Sequence, residues 1–191
     1  LDSSYPGQVV SNAVSNHPVF DTIRQWDPLL MVHLGDLHYR NIDTDDQAAF
    51  RQAYLDAMTF NDTLGATARQ GQLYRQSQWV YAFDDHDFGH NDSDSTSPSR
   101  SAANTVYRQV VPSYQVPDVL GIYQAWVVGR VQFILWDTRS FRSPGSDPQS
   151  PTKTMLGAAQ KEWMRGILSS TAAELHISSS NNSDTHSMTI V

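Results

Sequence analysis

Residues 29–39, Leu29-Leu30-Met31-Val32-His33-Leu34-Gly35-Asp36-Leu37-His38-Tyr39, pass from an apolar run straight into a glycine and an acid. The run Leu29 to Leu34 has the length and character of a buried strand, and Gly35 closes it. An acid at the carboxyl end of such a strand faces the crevice where open α/β sheets bind ligands. There Asp36 can bridge cations, with phenolate or imidazole completing the shell. Taken alone, Gly-Asp after a strand favours the plainer reading, a turn in which Asp36 bonds its own backbone. His33, inside the apolar run, reads as a hydrogen-bonded core histidine before a ligand. His38 fits the site and the solvent equally well.

Working outward, Val19, Phe20 and Ile23 give His17 to Trp26 a short helical pattern, which Asp27-Pro28 ends. Downstream, Thr44-Asp45-Asp46-Gln47 has capping-box spacing, and Phe50, Ala53, Tyr54 and Ala57 then recur at helical intervals. Trp79 to Phe83 is a second strand. Ser93 to Ser101 is a Ser/Pro-rich loop, followed by a helix from about Ala102 to Val111. Tyr123 to Trp136 reads as a hairpin, with Gly129-Arg130 suited to a two-residue type II′ turn. Leu156, Ala159, Trp163, Met164, Ile167 and Leu168 form one helix face, and residues 178–191 read as an irregular tail. Trp79, Trp126, Trp136 and Trp163 read as core. Strands alternate with helices apart from the hairpin, so the class is α/β (α+β) with a mixed sheet in a single domain spanning 1–191.

The second chemical block follows the second strand: Phe83-Asp84-Asp85-His86-Asp87-Phe88-Gly89-His90-Asn91-Asp92-Ser93-Asp94. Five carboxylates and two imidazoles within twelve residues raise one another's cost unless cations or donors neutralise them. A solvated acidic loop is the bland alternative, but such loops seldom interleave Phe83, His86 and Phe88 with their acids. Metal binding is the better reading. The third block, Asp137-Thr138-Arg139-Ser140, ends the hairpin. Arg139 there can grip a phosphoryl oxygen or pair with a nearby acid, and both readings stand.

Composition narrows the rest. The chain has 191 residues, 39% hydrophobic and 17% charged, with a net charge of −7. That balance is globular, and it repels nucleic acid and anionic membrane where no basic patch is concentrated. No such patch occurs, and no apolar run is long enough to span a bilayer. The absence of cysteine excludes a disulfide framework and thiolate ligation, which leaves oxygen and imidazole ligands for any metal.

Several blocks occur in a shared order: Asn16-His17-Pro18-Val19-Phe20-Asp21, His33-Leu34-Gly35-Asp36, Phe50-Arg51-Gln52-Ala53-Tyr54, and the acids from Asp84 to Asp94. They continue with Gly129-Arg130-Val131-Gln132-Phe133, Asp137-Thr138-Arg139-Ser140, and Met155-Leu156-Gly157 through Gln160 to Trp163. The series resembles the PhoD-like (alkaline phosphatase D) metallophosphoesterases from about Ser15 to Leu175. The resemblance implies a metallophosphoesterase-like β-sandwich flanked by helices. It also implies hydrolysis of phosphomonoesters and phosphodiesters by a metal-activated hydroxide, with iron and calcium as the metals and a small phosphate ester as substrate. By motif, Asp36, Tyr39 and Asp85 would be metal ligands. His86 would be the catalytic histidine that contacts phosphate and protonates the leaving group, joined by Arg139. Asn91 would touch substrate.

The sequence departs from the family in three places. The family's early metal-binding cysteine is missing, so that ligand lies upstream of Leu1 or is replaced around Ser4. A late Gly-Asp-x-His block that supplies further ligands is absent, and His90 stands where relatives carry proline or glycine. The chain is therefore expected to be the N-terminal part of the domain, incomplete at its C-terminus and prone to self-association. The alternative is a truncated or decayed, non-catalytic product that at most binds a cation. The family includes exported proteins, although no leader is visible.

Overall fold

The computed structural model describes residues 16–58, 68–178 and 187–190, with backbone alone for 171–178 and 187–190. The elements run α1 (Val19–Gln25), β1 (Met31–His33), α2 (Gln47–Met58), α3 (Arg69–Gln76), β2 (Trp79–Tyr81), α4 (Asp85–Phe88), α5 (Arg100–Val110), β3 (Gln124–Val128), β4 (Val131–Leu135), α6 (Gly157–Ser178) and β5 (Ser187–Ile190). They form a mixed helix and strand fold with two small sheets. β1 and β2 pair in parallel, Met31 opposite Trp79 and His33 opposite Tyr81. The other sheet has the order β3-β4-β5. Among the described residues no helix is long and apolar enough to cross a membrane.

Helix α2 forms where its apolar spacing predicts, and it buries Phe50, Ala53, Tyr54 and Ala57. Its cap differs from the expected one. Asp46, not Thr44, accepts the amides of Ala48 and Ala49 at 2.9 and 3.1 Å. An aspartate directly before the first turn reaches those two donors without help from a box. α2 lies against α3 and α5. Together these helices close a core around Leu73, Tyr81, Phe83, Phe88, Val106 and Tyr107. Helix α3 has no counterpart in the sequence reading, because Arg-Gln-Gly-Gln-Leu-Tyr-Arg-Gln shows little apolar period. It is held from outside. The Arg69 amide donates to Asn16 Oδ1 at 3.0 Å, and the Arg69 side chain donates to Asp21 of α1 at 2.6 Å.

Strand β1 is not the buried strand that its apolar run suggests. Met31 to His33 are half-buried, while Leu29 and Leu34 are 77% and 64% exposed. An apolar run reads the same whether or not neighbours cover it, and among the described residues β1 pairs with β2 alone. Trp126 is the one tryptophan of the expected four that is buried; Trp79, Trp136 and Trp163 are half-buried. The hairpin matches the expectation. Gly129 takes φ +60° and Arg130 does not, as a type II′ turn requires, and Trp126 stacks on Phe133 across the strands at 5.3 Å.

The tail also differs from the expected irregular segment over 178–191. α6 reaches Ser178, and Ser187–Ile190 lies parallel to β4. Ser-Met-Thr-Ile carries the period-two alternation of a strand. Residues 179–186 lie outside the described residues, as does Ser4.

Two close fits position the strand ends. A Cβ on Gly35 would fall 2.3 Å from the Asp84 Cβ and 2.6 Å from its nitrogen, and Gly35 has φ +112°. The chain leaving β1 thus passes directly over the chain leaving β2, and only glycine fits there. At the end of β4, Gln160 of α6 clamps the Asp137 peptide from both sides. Its Oε1 accepts the Asp137 amide at 2.8 Å, and its Nε2 donates to the Asp137 carbonyl at 2.9 Å. The Asp137 carboxylate in turn accepts the amides of Ile122, Arg139 and Ser140, which fixes the turn that carries Arg139.

Gly35→Ala is expected to cost about 2 kcal/mol or more, since it meets both a backbone clash and an unfavourable φ. Urea unfolding followed by circular dichroism measures it. Gln160→Met keeps the side-chain volume but strands two buried peptide groups, at about 1–3 kcal/mol each. An unchanged urea midpoint would contradict the clamp.

Candidate metal centre

The loop after β1 is built from unusual backbone. Asp36, Tyr39 and Asn41 all have positive φ, at +56°, +53° and +53°, directly after Gly35. A left-handed conformation costs a non-glycine residue about 1–2 kcal/mol, so three in six residues must be held by outside contacts. Asp87 supplies two of them. Its carboxylate is wholly buried and accepts the Leu37 amide at 3.0 Å and the His38 amide at 2.9 Å. The same side chain closes a capping box with Asp84 at the start of α4. α4 has four residues, and it places Asp85 and His86 side by side at buried positions.

The two strand ends therefore converge. Asp36, Asp85 and His86 each offer one ligand atom, and these atoms lie within 4.8 Å of one another. The electrostatics are uneven. Burial, then the charge of Asp87, pushes the Asp36 carboxyl above the usual range, with Asp84 and Asp85 adding and His86 opposing. Burial also pushes Asp85 up. There the Asp92 amide, Arg139 and His86 outweigh it and hold the group below the usual range. The amide of Asp92 donates to Asp85 Oδ2 at 2.6 Å. Asp36 Oδ1 is buried and has no hydrogen-bond partner. A buried carboxylate oxygen without a donor, beside further acids, suits a cation. Two carboxylates and an imidazole, with no thiolate, fit a hard or borderline metal.

The other expected residues surround this cluster unequally. The Tyr39 ring stacks on His86 with centroids 3.7 Å apart. Arg139 is buried against the acids: Nε donates to Asp84 Oδ1 at 2.6 Å, Nη2 lies 2.5 Å from the same oxygen, and Nη2 is 3.6 Å from Asp85 Oδ1. The acid pairing expected of Arg139 is thus with Asp84 and Asp85 and not with Asp137. Asn91 is exposed and donates to Asp92 Oδ2 at 2.7 Å, and His90 pairs with Asp43 at 2.8 Å across the rim. His38 adopts neither expected position. Its side chain points into the core edge-on to Tyr54, and burial, opposed by Asp87, lowers its basicity. His33 is half-buried rather than core, with its ring edge-on to Tyr74 and Tyr81.

Asn41 and Asp87 were not singled out in the sequence. Asn41 Oδ1 meets His86 Nδ1, and the Asn41 amide donates to the His86 carbonyl at 3.2 Å. With Oδ1 as acceptor, Nδ1 is the donor of that bond, which fixes the ring by its Nδ1 edge. Only the three-residue spacing from Asp84 to Asp87, that of a capping box, could have marked Asp87 in advance.

The family model for PhoD-like phosphatases matches residues 13–182. A solved structure of PhoD superposes with a TM-score of 0.59 at 20% identity, covering 82% of this chain. The superposed part is 36% of that structure, so this chain spans little more than a third of its length. At this identity the likeness concerns the fold. No curated protein matches the sequence. With the family model covering most of its length, the chain belongs to the PhoD-like phosphatase family.

Proposed function

We propose that the chain is the metal-gathering portion of a metal-dependent phosphoric ester hydrolase acting on small phosphomonoesters and phosphodiesters. The observation that carries this reading is the convergence of Asp36, Asp85 and His86 around an Asp36 oxygen that no donor satisfies. Activity is proposed for the whole protein, in which the two described sheets belong to a metallophosphoesterase-like sandwich and further ligands complete the centre.

Asp36 and Asp85 would hold the cation, with Tyr39 beside them as a phenolate ligand; iron and calcium are the metals proposed. Bound cations supply charge neutralisation and make water at the site a stronger nucleophile at neutral pH. The protein's own groups do the rest. His86, with Nδ1 engaged by Asn41, would use Nε2 in its protonated form, where an N–H there holds a phosphoryl oxygen or passes a proton to the leaving oxygen. Arg139 sets the spacing of Asp84 and Asp85, and it reaches Ser93 through Nη1 at 3.4 Å. Nη1 is thus its least engaged edge, the one suited to a non-bridging oxygen. Asn91 stands on the rim, where a substrate would enter.

Hydrolysis of bis-p-nitrophenyl phosphate by the full-length protein, with metals added, tests this assignment. Asp36→Ala is expected to abolish turnover, and full activity in that variant would sink the reading. His86→Ala separates two roles for the imidazole. A catalytic histidine predicts about 100-fold or greater loss of turnover with metal content kept. Loss of the metal itself would make His86 a ligand instead.

A further inference from the structure

We infer that Asp87 is the positioning residue of this centre, the group that sets the Asp36 carboxylate opposite Asp85. The inference rests on the metal-centre reading above and adds to it a residue that touches no metal in that scheme. Asp87 reaches the first loop from the second. Oδ2 accepts the Leu37 amide at 3.0 Å and is 3.4 Å from the Asp84 amide, and Oδ1 accepts the His38 amide at 2.9 Å. The two clamped amides follow Asp36 directly in the chain, so they fix a residue that sits at φ +56° and would otherwise relax.

Its place on α4 adds the second half of the argument. Asp85, His86 and Asp87 are consecutive, and the cap formed with Asp84 locks their helical turn. One rigid unit thus carries a proposed ligand, a proposed catalytic group and the clamp on the other ligand. The surroundings hold the clamp in turn. Asp87 is fully buried, and His38 Nδ1 lies 3.7 Å from its Oδ1. The Tyr54 and Tyr81 rings pack with His38 around the same pocket of the core. An isolated buried acid in that setting is costly unless its oxygens are used, and here both are. The separation of Asp36 and Asp85 is therefore set by Asp87 and by the Gly35 crossing rather than by either ligand alone.

The test is Mn2+ binding to the full-length protein, followed by the loss of the free-ion paramagnetic resonance signal, with circular dichroism confirming the fold of each variant. Asp87→Asn replaces one acceptor by a donor that faces a backbone amide. Asp87→Glu keeps the charge but displaces it by a methylene. Both are expected to weaken Mn2+ binding about 10–100-fold, the range seen when groups behind a metal shell are changed. Leu73→Ala, a truncation elsewhere in the same core, is expected to bind Mn2+ as the parent does. Parental affinity in Asp87→Glu would show that charge and not placement matters, and would overturn the inference. An equal loss in Leu73→Ala would overturn it as well, by making the effect one of general packing. If Asp87→Asn does not fold, the comparison of Asp87→Glu with Leu73→Ala decides. No Mn2+ binding by the parent would remove the metal centre itself, and this inference with it.

Discussion

The passage of Gly35 over Asp84 is the contact on which the arrangement depends. At 2.3 Å from a would-be Cβ there is no room for any side chain, so the exits of β1 and β2 touch backbone to backbone. That closeness brings the acid after the first strand within reach of the acids after the second. The first loop then runs through left-handed backbone at Asp36, Tyr39 and Asn41. The conformational cost, of the order of a few kcal/mol by handedness alone, is offset by the hydrogen bonds that the buried Asp87 accepts and by the packing of Phe50, Tyr54 and Phe88 behind the loops. Strain of this kind persists only where the surroundings over-determine it.

The same contact sets the electrostatics. Asp84 and Asp85 share Arg139, Asp85 has the Asp92 amide, and Asp87 has two amides of the first loop. Each of these acids has a donor of its own. Asp36 differs, because its Oδ1 lacks one while its neighbours raise the cost of its charge. The asymmetry gives the cluster a direction: three acids are spoken for by the protein, and one Asp36 oxygen lacks a donor, which is where the proposed cation would bind. Arg139 belongs to the same logic. It is brought to the acids by the Asp137 turn, and Gln160 holds that turn from α6, so distant parts of the chain meet in one charge balance.

Much of this was legible in the sequence, and the reasons differ by residue. The α2 stripe and the Gly129 turn are local signals whose period or dihedral demand nothing else satisfies. Asp36, Asp85 and His86 stood out because crowded charges after strand-like runs need an explanation. What failed was whatever depends on long-range contact. Burial of Leu29 and Leu34 turns on neighbours that an apolar run does not specify. α3 is held by Asn16 and Asp21, about fifty residues away, and nothing in its own polar sequence announces a helix. His38 lies in the core because the left-handed turns redirect it. Asp87 looked like one more acid in a run of acids, although its bonds span about fifty residues of sequence.

The central claim is that Asp36 and Asp85 face one cation. Crystals of the full-length protein grown with Mn2+ and measured on both sides of the manganese absorption edge test it directly. The account predicts an anomalous difference peak between the two carboxylates, within coordination distance of both. A peak elsewhere, or full Mn2+ occupancy with the Asp36 carboxylate turned away from Asp85, would contradict it.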